Sequence, residues 1–280
     1  MPKLRFWITI LLLPLHLIHA QINCSPEDRI LFESKVTELK QLETGDLEEN
    51  PVVSIGKTFL GTPYVEKTLE IGDKETLVVN LRGLDCTTFV ENVLAFSLLL
   101  KGNKKSFQDF ASALETIRYR NGHLDGYSSR LHYFTEWIRN NNEKGLVEDI
   151  TRELGGIEVG KSINFMGTHR QLYPFLADDT NYDKILEVEE QLAKESLCVL
   201  PQDAIELMEN ELQNGDIIAL ATSITGLDVT HTGFAIRMPS GRIHLLHASI
   251  SGEVTITKEP LVDYLRKIKN NTGIVVARPL

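Results

Sequence analysis

The stretch from Cys86 to Leu100 constrains this chain more than any other. Phe89, Val90, Val93, Leu94, Phe96 and Leu98 to Leu100 put apolar side chains on nearly every side of a helix. A helix without a polar face is stable only when other elements cover it all round. The pattern therefore predicts a central, buried helix, held still at its N-terminus. That end is the junction Gly83-Leu84-Asp85-Cys86-Thr87-Thr88, so a cysteine occupies the first turn. The positive end of the helix dipole and its unpaired N–H groups favour thiolate there and are expected to lower the Cys86 pKa. The same N–H groups can receive an oxyanion. Free cysteines are also commonly buried packing residues, and this stretch alone does not decide between the two.

Residues 216–278 read as a series of short strands, two of which carry histidines. These are Val229-Thr230-His231-Thr232-Gly233-Phe234-Ala235-Ile236 and Arg242-Ile243-His244-Leu245-Leu246-His247-Ala248-Ser249, joined by a turn at Pro239-Ser240-Gly241. Alternation puts His231, Gly233 and Ala235 on one face, and His247 on the face of Ile243 and Leu245, with His244 opposite. Small neighbours leave His231 room to meet another element. Helices are expected at about 26–42, 106–119, 131–141 and 182–197, with Cys198 closing the last, and late strands at 253–257 and 273–278. Helices first and strands last give an α+β class. A cysteine at a helix start and histidines on adjacent strands fit a thiolate, a base and an orienting residue. Each histidine by itself also fits a hydrogen-bonded structural role.

Four ordered blocks then resemble the NlpC-type, papain-like peptidoglycan hydrolases. They are Asp85-Cys86-Thr87-Thr88-Phe89-Val90, Asn214-Gly215-Asp216-Ile217-Ile218, His231-Thr232-Gly233-Phe234-Ala235-Ile236 and Leu245-Leu246-His247-Ala248-Ser249. Upstream, Leu60-Gly61-Thr62-Pro63-Tyr64 resembles the segment whose tyrosine lies beside the nucleophile in that superfamily. The resemblance implies a papain-like core, with an N-terminal nucleophile helix packed on a C-terminal antiparallel sheet or barrel. It implies Cys86 as nucleophile, His231 as general base, His247 as the residue orienting that base, and Tyr64 in the oxyanion or substrate site. It implies neither a metal nor a cofactor.

Well over a hundred residues separate the cysteine helix from Gly215-Asp216, whereas a minimal member of the superfamily needs a few dozen. The region at about 103–213 therefore reads as an insertion. It contains Asn121-Gly122-His123-Leu124-Asp125-Gly126-Tyr127-Ser128-Ser129-Arg130-Leu131-His132-Tyr133-Phe134 and Ile163-Asn164-Phe165-Met166-Gly167-Thr168-His169. These resemble a branch first catalogued as a domain of unknown function and associated with N-acetylmuramoyl-L-alanine amidase activity. On that resemblance the attacked carbonyl is that of the muramic lactoyl group and the leaving amine is L-alanine. Asp85, Arg130 and His132 are substrate-site candidates. Arg130 suits a stem-peptide carboxylate, held bidentately, or an ion pair inside the protein.

Lys3 and Arg5 precede an apolar stretch, Phe6 to Ile18, interrupted by Pro14 and followed by Ala20. Residues 1–20 read as a secretory signal peptide rather than a membrane span, with residues 21–280 as a single domain and the protein periplasmic or secreted. Lipidation at Cys24 is an alternative that lacks the expected small residue before it, where Asn23 stands. Removing Lys3 and Arg5 lowers the basic count from 29 to 27 against 39 acidic residues. Such a surface argues against nucleic acid or anionic lipid as partner and leaves room for peptidoglycan or a muropeptide. A monomer is expected, without membrane insertion once the signal is cleaved. Cys24 and Cys198 could pair in an oxidising compartment; unpaired is preferred. Because insertions around a cleft narrow it, small soluble fragments are the favoured substrates.

Three other readings remain. One is an endopeptidase cutting between D-glutamate and the diamino acid. Another is a zinc amidase using Cys86, His231 and His247 as ligands, which needs an acidic base that none of these motifs supplies. The third is a non-catalytic wall-binding module, which would be expected to lack one of the three.

Overall fold

The computed structural model of the chain describes residues 21–43 and 50–280; residues 1–20, expected to be a signal peptide, lie outside the described residues. Along the chain run β1 (Ile22–Cys24), α1 (Pro26–Glu43), α2 (Pro51–Lys57), β2 (Leu77–Val79), α3 (Cys86–Lys101), α4 (Phe107–Arg118), α5 (Phe134–Glu143), β3 (Val147–Asp149) and β4 (Ile157–Val159). They are followed by α6 (Phe165–Thr168), α7 (Asp179–Leu192), β5 (Leu197–Pro201), α8 (Ile205–Met208), β6 (Ile217–Thr222), β7 (Val229–Arg237), β8 (Ile243–Ala248), β9 (Val254–Ile256), α9 (Leu261–Arg266) and β10 (Asn271–Pro279). Mixed α and β elements surround one antiparallel sheet. Its order is β4-β5-β10-β6-β7-β8-β9, with β3 beside β10, so it ends at β4 and β9 and does not close into a barrel. Strand β1 pairs in parallel with β2, apart from that sheet.

Strand alternation divides the sheet's two faces between two cores. Ile217, Ala219, Phe234, Ile236, Leu246 and Val275 pack towards the helices α1 to α4. Ile218, Leu220, Ala235, Ile243, Leu245 and Val276 pack the other way, against Leu261, Val262 and Leu265 of α9. Helix α3 lies in the first core as its composition requires. Phe89, Val90, Val93, Ala95 and Phe96 are wholly buried, and the Phe89 ring sits 5.7 Å from that of Phe234 on β7. Each of the Phe and Val side chains contributes about 1.5–3 kcal/mol by burial.

Between α3 and β6, a third cluster gathers Tyr127, Tyr133, Met166, Leu176 and Ile185 beneath α6 and α7. Several element bounds here differ from expectation. Asp178 accepts from the Asn181 N–H and starts α7 earlier; the helix ends at Leu192. Cys198 therefore lies not at a helix end but in β5, between β4 and β10. Helix α5 begins at Phe134 rather than 131, because Arg130 bridges to Tyr119 and the Leu131 N–H donates to Arg118 O at 3.0 Å, keeping that stretch extended. Helix α9 stands where only strands were expected. All three cysteines are free. Among the described residues, no helix is long and apolar enough to cross a membrane.

Candidate active site

Asp85 caps α3. Its Oδ1 accepts from the Thr88 N–H at 2.8 Å, and the Thr88 hydroxyl oxygen accepts from the Asp85 N–H at 2.9 Å. This reciprocal cap fixes the helix start and gives Asp85 a different task from the substrate contact expected of it. It also places a carboxylate beside Cys86. Burial pushes the Cys86 thiol up to about 12, and the charge of Asp85 adds to the rise. The Thr232 N–H, the Thr87 hydroxyl and the Thr87 N–H oppose it without overcoming it. The lowered pKa expected from the helix terminus is thus corrected: desolvation and a neighbouring carboxylate outweigh the dipole, although the residue keeps some exposed surface.

Strand β7 brings His231 into the cavity that Cys86 lines. Its register with β6 shifts between Leu220, opposite His231, and Ala221, opposite Val229, leaving Thr230 as the extra residue of a bulge. Such bulges re-aim neighbouring side chains. His231 Nε2 lies 2.5 Å from His247 Nδ1, with the rings nearly perpendicular. Gly233 makes this approach possible. A Cβ there would come within 2.6 Å of the Leu246 carbonyl oxygen and 2.8 Å of His247 Cβ. Burial holds His231 down at about 3, helped by His247, and holds His247 down at about 4. Both imidazoles are therefore neutral near pH 7. His244 points to the opposite face, where its Nδ1 meets Thr257 O at 2.8 Å.

Cys86, Thr87 and His231 line one small cavity of about 130 Å³, closed by His132, Tyr133, Met166 and Tyr173 and by Asp228. Residues between α4 and α7 therefore supply most of the opposite wall. Tyr64 flanks the thiol from another side, through a bridge between Tyr64 and Leu84. Burial first, and then the charges of Cys86 and Asp85, push its hydroxyl up to about 12, so it stays a neutral donor. His132 lines the cavity with Nε2 2.9 Å from Tyr127 O, and burial keeps its pKa well below the ordinary histidine value.

Arg130 is not in this wall. Its guanidinium lies 3.4 Å from Glu70 Oε1 and 3.5 Å from Glu75 Oε1, over the Tyr127 ring, with 7% of the residue exposed. The two alternatives left open for it resolve to the ion pair inside the protein. Sequence reasoning missed Tyr173, Asp228 and Tyr264. Asp228 Oδ2 accepts from both the N–H and the hydroxyl of Thr135, and Oδ1 from the Val229 N–H. It ties the start of α5 to the strand bearing His231. The one-four spacing of Leu261 and Leu265 was the available signal for α9, and with it Tyr264. Among the described residues no group of three or more His, Cys, Asp or Glu is placed to hold a metal ion, and His231 and His247 bond to each other.

The model of the AmiA-like, N-acetylmuramoyl-L-alanine amidase-like family matches residues 54–274. Solved structures are similar over most of the chain. A Bacteroides uniformis N-acetylmuramoyl-L-alanine amidase is 38% identical with a TM-score of 0.77, covering 82% of this chain and 97% of its own. A Bacteroides fragilis protein described provisionally as a xylanase is 42% identical with a TM-score of 0.75, covering 80% of this chain and 98% of its own. A Legionella pneumophila protein, 23% identical with a TM-score of 0.69 over 90% of this chain and 95% of its own, shares the fold. No curated protein matches the chain.

Proposed function

We propose that this chain, which belongs to the AmiA-like family of N-acetylmuramoyl-L-alanine amidase-like proteins, is a cell-wall amidase that cuts the bond between N-acetylmuramic acid and L-alanine with Cys86 as nucleophile. The observation that carries this reading is the bond from His231 Nε2 to His247 Nδ1. When Nε2 is the donor, His231 Nδ1 is left as a free base in the cavity it shares with Cys86.

The resting pair is neutral thiol and neutral imidazole. On substrate binding, the Cys86 proton passes to His231 Nδ1 and the sulfur attacks the lactoyl carbonyl. The Thr88 and Phe89 N–H groups are occupied by Asp85 and that of Thr87 faces the Cys86 sulfur, which leaves the Cys86 N–H, with the Tyr64 hydroxyl, to receive the oxyanion. His231 returns its proton to the leaving amine, L-alanine departs as the peptide N-terminus, and water hydrolyses the thioester. His247 stabilises the imidazolium and fixes the tautomer. The core is papain-like on this reading, with the cysteine helix against an antiparallel sheet.

The xylanase description belongs to its own protein. Glycosidases place two carboxyl groups about the scissile bond, whereas the cavity at Cys86 has one carboxylate, Asp228, with both oxygens taken. We place the enzyme in the periplasm or outside the cell after removal of residues 1–20. Cys24 packs against the core from β1 with its thiol on Ser25 O, which suits a mature chain without lipid there. The small cavity favours short muropeptides. Mass spectrometry of a defined N-acetylmuramoyl peptide tests the assignment: free sugar and a peptide beginning with L-alanine are expected. Sugar-linked L-alanyl-D-glutamate, with the diamino acid freed at its amine, identifies an endopeptidase instead. Activity lost to chelator and restored by zinc, but resistant to iodoacetamide, overturns the thiol chemistry.

A further inference from the structure

Helix α9 lies outside every block that carries the family resemblance, yet it covers the face of the sheet towards which the histidine pair points. Leu261, Val262 and Leu265 bury against that face. Tyr264 meets His247, with ring centroids 5.6 Å apart and planes at 67°. Otherwise His247 is held by one hydrogen bond, between its Nδ1 and His231 Nε2; its Nε2 has no protein partner among the described residues. The χ2 torsion of histidine is a broad well, so with one bond the tilt of this buried ring is set by the side chains packed on it. Besides His231, the aromatic ring in contact with it is Tyr264, edge-on, and such pairs contribute about 0.5–1.5 kcal/mol.

We propose that Tyr264 is a positioning residue for the histidine pair: its ring fixes the plane of His247 and so keeps the Nδ1 lone pair aimed at His231 Nε2. The ring carries this role and the hydroxyl does not, because the hydroxyl makes no hydrogen bond among the described residues. Tyr264 also lies close enough to the reacting centre for a Cys86 thiolate to act on it: burial first, and then that charge, raise its pKa. If His247 tilts, His231 Nε2–H loses its acceptor, and the tautomer with a basic Nδ1 is no longer selected. Substrate contacts are unaffected, so the loss falls on kcat.

The inference rests on the amidase reading of Cys86 and His231. The test measures kcat and KM on a defined N-acetylmuramoyl peptide for Y264F, Y264L, H247A and the double variant H247A/Y264L, with side-chain ¹⁵N spectra of the resting proteins. Leucine keeps the apolar burial beside the α9 core, and Y264M replaces it if Y264L melts below the assay temperature. Y264F should stay within about twofold of the parent. Y264L should lower kcat roughly tenfold with KM unchanged, a fraction of the effect of losing the base. In the H247A background it should cost less than about twofold, because the residue it orients is gone. A parental kcat in Y264L, or an undiminished loss in the double variant, overturns the proposal. The ring ¹⁵N signals of His247 should shift in Y264L; unchanged signals overturn it also. If the parent protein does not cut the substrate while those signals shift, the amidase reading fails and the positioning stands.

Discussion

Two polar clusters bracket the start of α3, and they are built in opposite ways. At its first residue, Cys86, His231 and His247 are neutral, line or border a cavity, and keep hydrogen-bonding capacity unused. Five residues on, Glu91 is sealed against Arg118 at 2.7 Å, each side chain 2% exposed, while Arg118 also donates to Val78 O. Glu75, Tyr119, Arg130 and Glu70 continue that cluster. Both clusters are buried, so burial alone does not mark chemistry. The difference is charge. Ion pairs hold the backbone around α3, although Glu70, Glu75 and Arg130 each keep one buried polar atom without a hydrogen-bond partner, whereas the cavity presents a neutral thiol and neutral imidazoles to a substrate.

The contrast can be broken by substitution, most severely at the cavity. C86A and H231A should each lower kcat/KM by about 10²–10⁴ or more while leaving thermal unfolding cooperative. Activity above a trace in C86A ends the thiol mechanism. Next comes H247A, with a loss on the order of tenfold to ten-thousandfold, against packing consequences alone for H244A, whose ring serves Thr257 O on the other face. H247N or H247Q should recover part of that loss through an amide oxygen that accepts from His231. Equal sensitivity at positions 244 and 247 removes His247 from the site.

In the sealed cluster the order of costs is reversed, with stability lost and catalysis kept. E91Q should destabilise by about 3–5 kcal/mol in chemical denaturation, since it strands a guanidinium that cannot lose its proton. R118M should cost less, because burial already pushes the Glu91 carboxyl up and a proton can neutralise it. If R118M proves the costlier change, the Val78 contact matters more than the ion pair. R130A should lower Tm with KM and kcat unchanged; a raised KM would restore Arg130 to the substrate.

The smallest effect sharpens the neutral side of the comparison. His231 and His247 titrate at about 3 and about 4 when folded, against 6.5 ordinarily. The unfolded chain binds protons that the folded one does not, so their contribution is complete above pH 6.5 and is lost as pH falls towards 4 and then 3. Denaturation midpoints measured from pH 7 to pH 4 should fall less steeply in H247A than in the parent protein.

Local pattern reaches some of this molecule and stops at identifiable places. The apolar run from Phe89 to Leu100 demanded burial on every side, and alternation in β8 separated His247 from His244, while the β7–β8 register brought His247 to His231. Those are properties of neighbouring residues, set by periods of 3.6 and 2. The bulge at Thr230 and the fate of Cys198 in β5 were not legible, and the spacing of Leu261 and Leu265 was too short a signal to fix α9, because short segments take their form from the sheet or core that receives them. Arg130 shows the limit most clearly. Its type suited a carboxylate in the substrate or in the protein equally, and only chain folding brought Glu70 and Glu75, 60 and 55 residues away in sequence, to its guanidinium.

The titration of Cys86 was settled in the same way. Sequence determined that a cysteine would start a buried helix, since helix propensity, capping by Asp85 and apolar periodicity are all local. Tertiary structure decided how much water that sulfur would lose, which carboxylate would stand beside it, and which strand would bring an imidazole to it. Desolvation and charge interactions depend on everything nearby in space, and elements as distant as α5, β7 and α9 assemble those surroundings only when the sheet has formed.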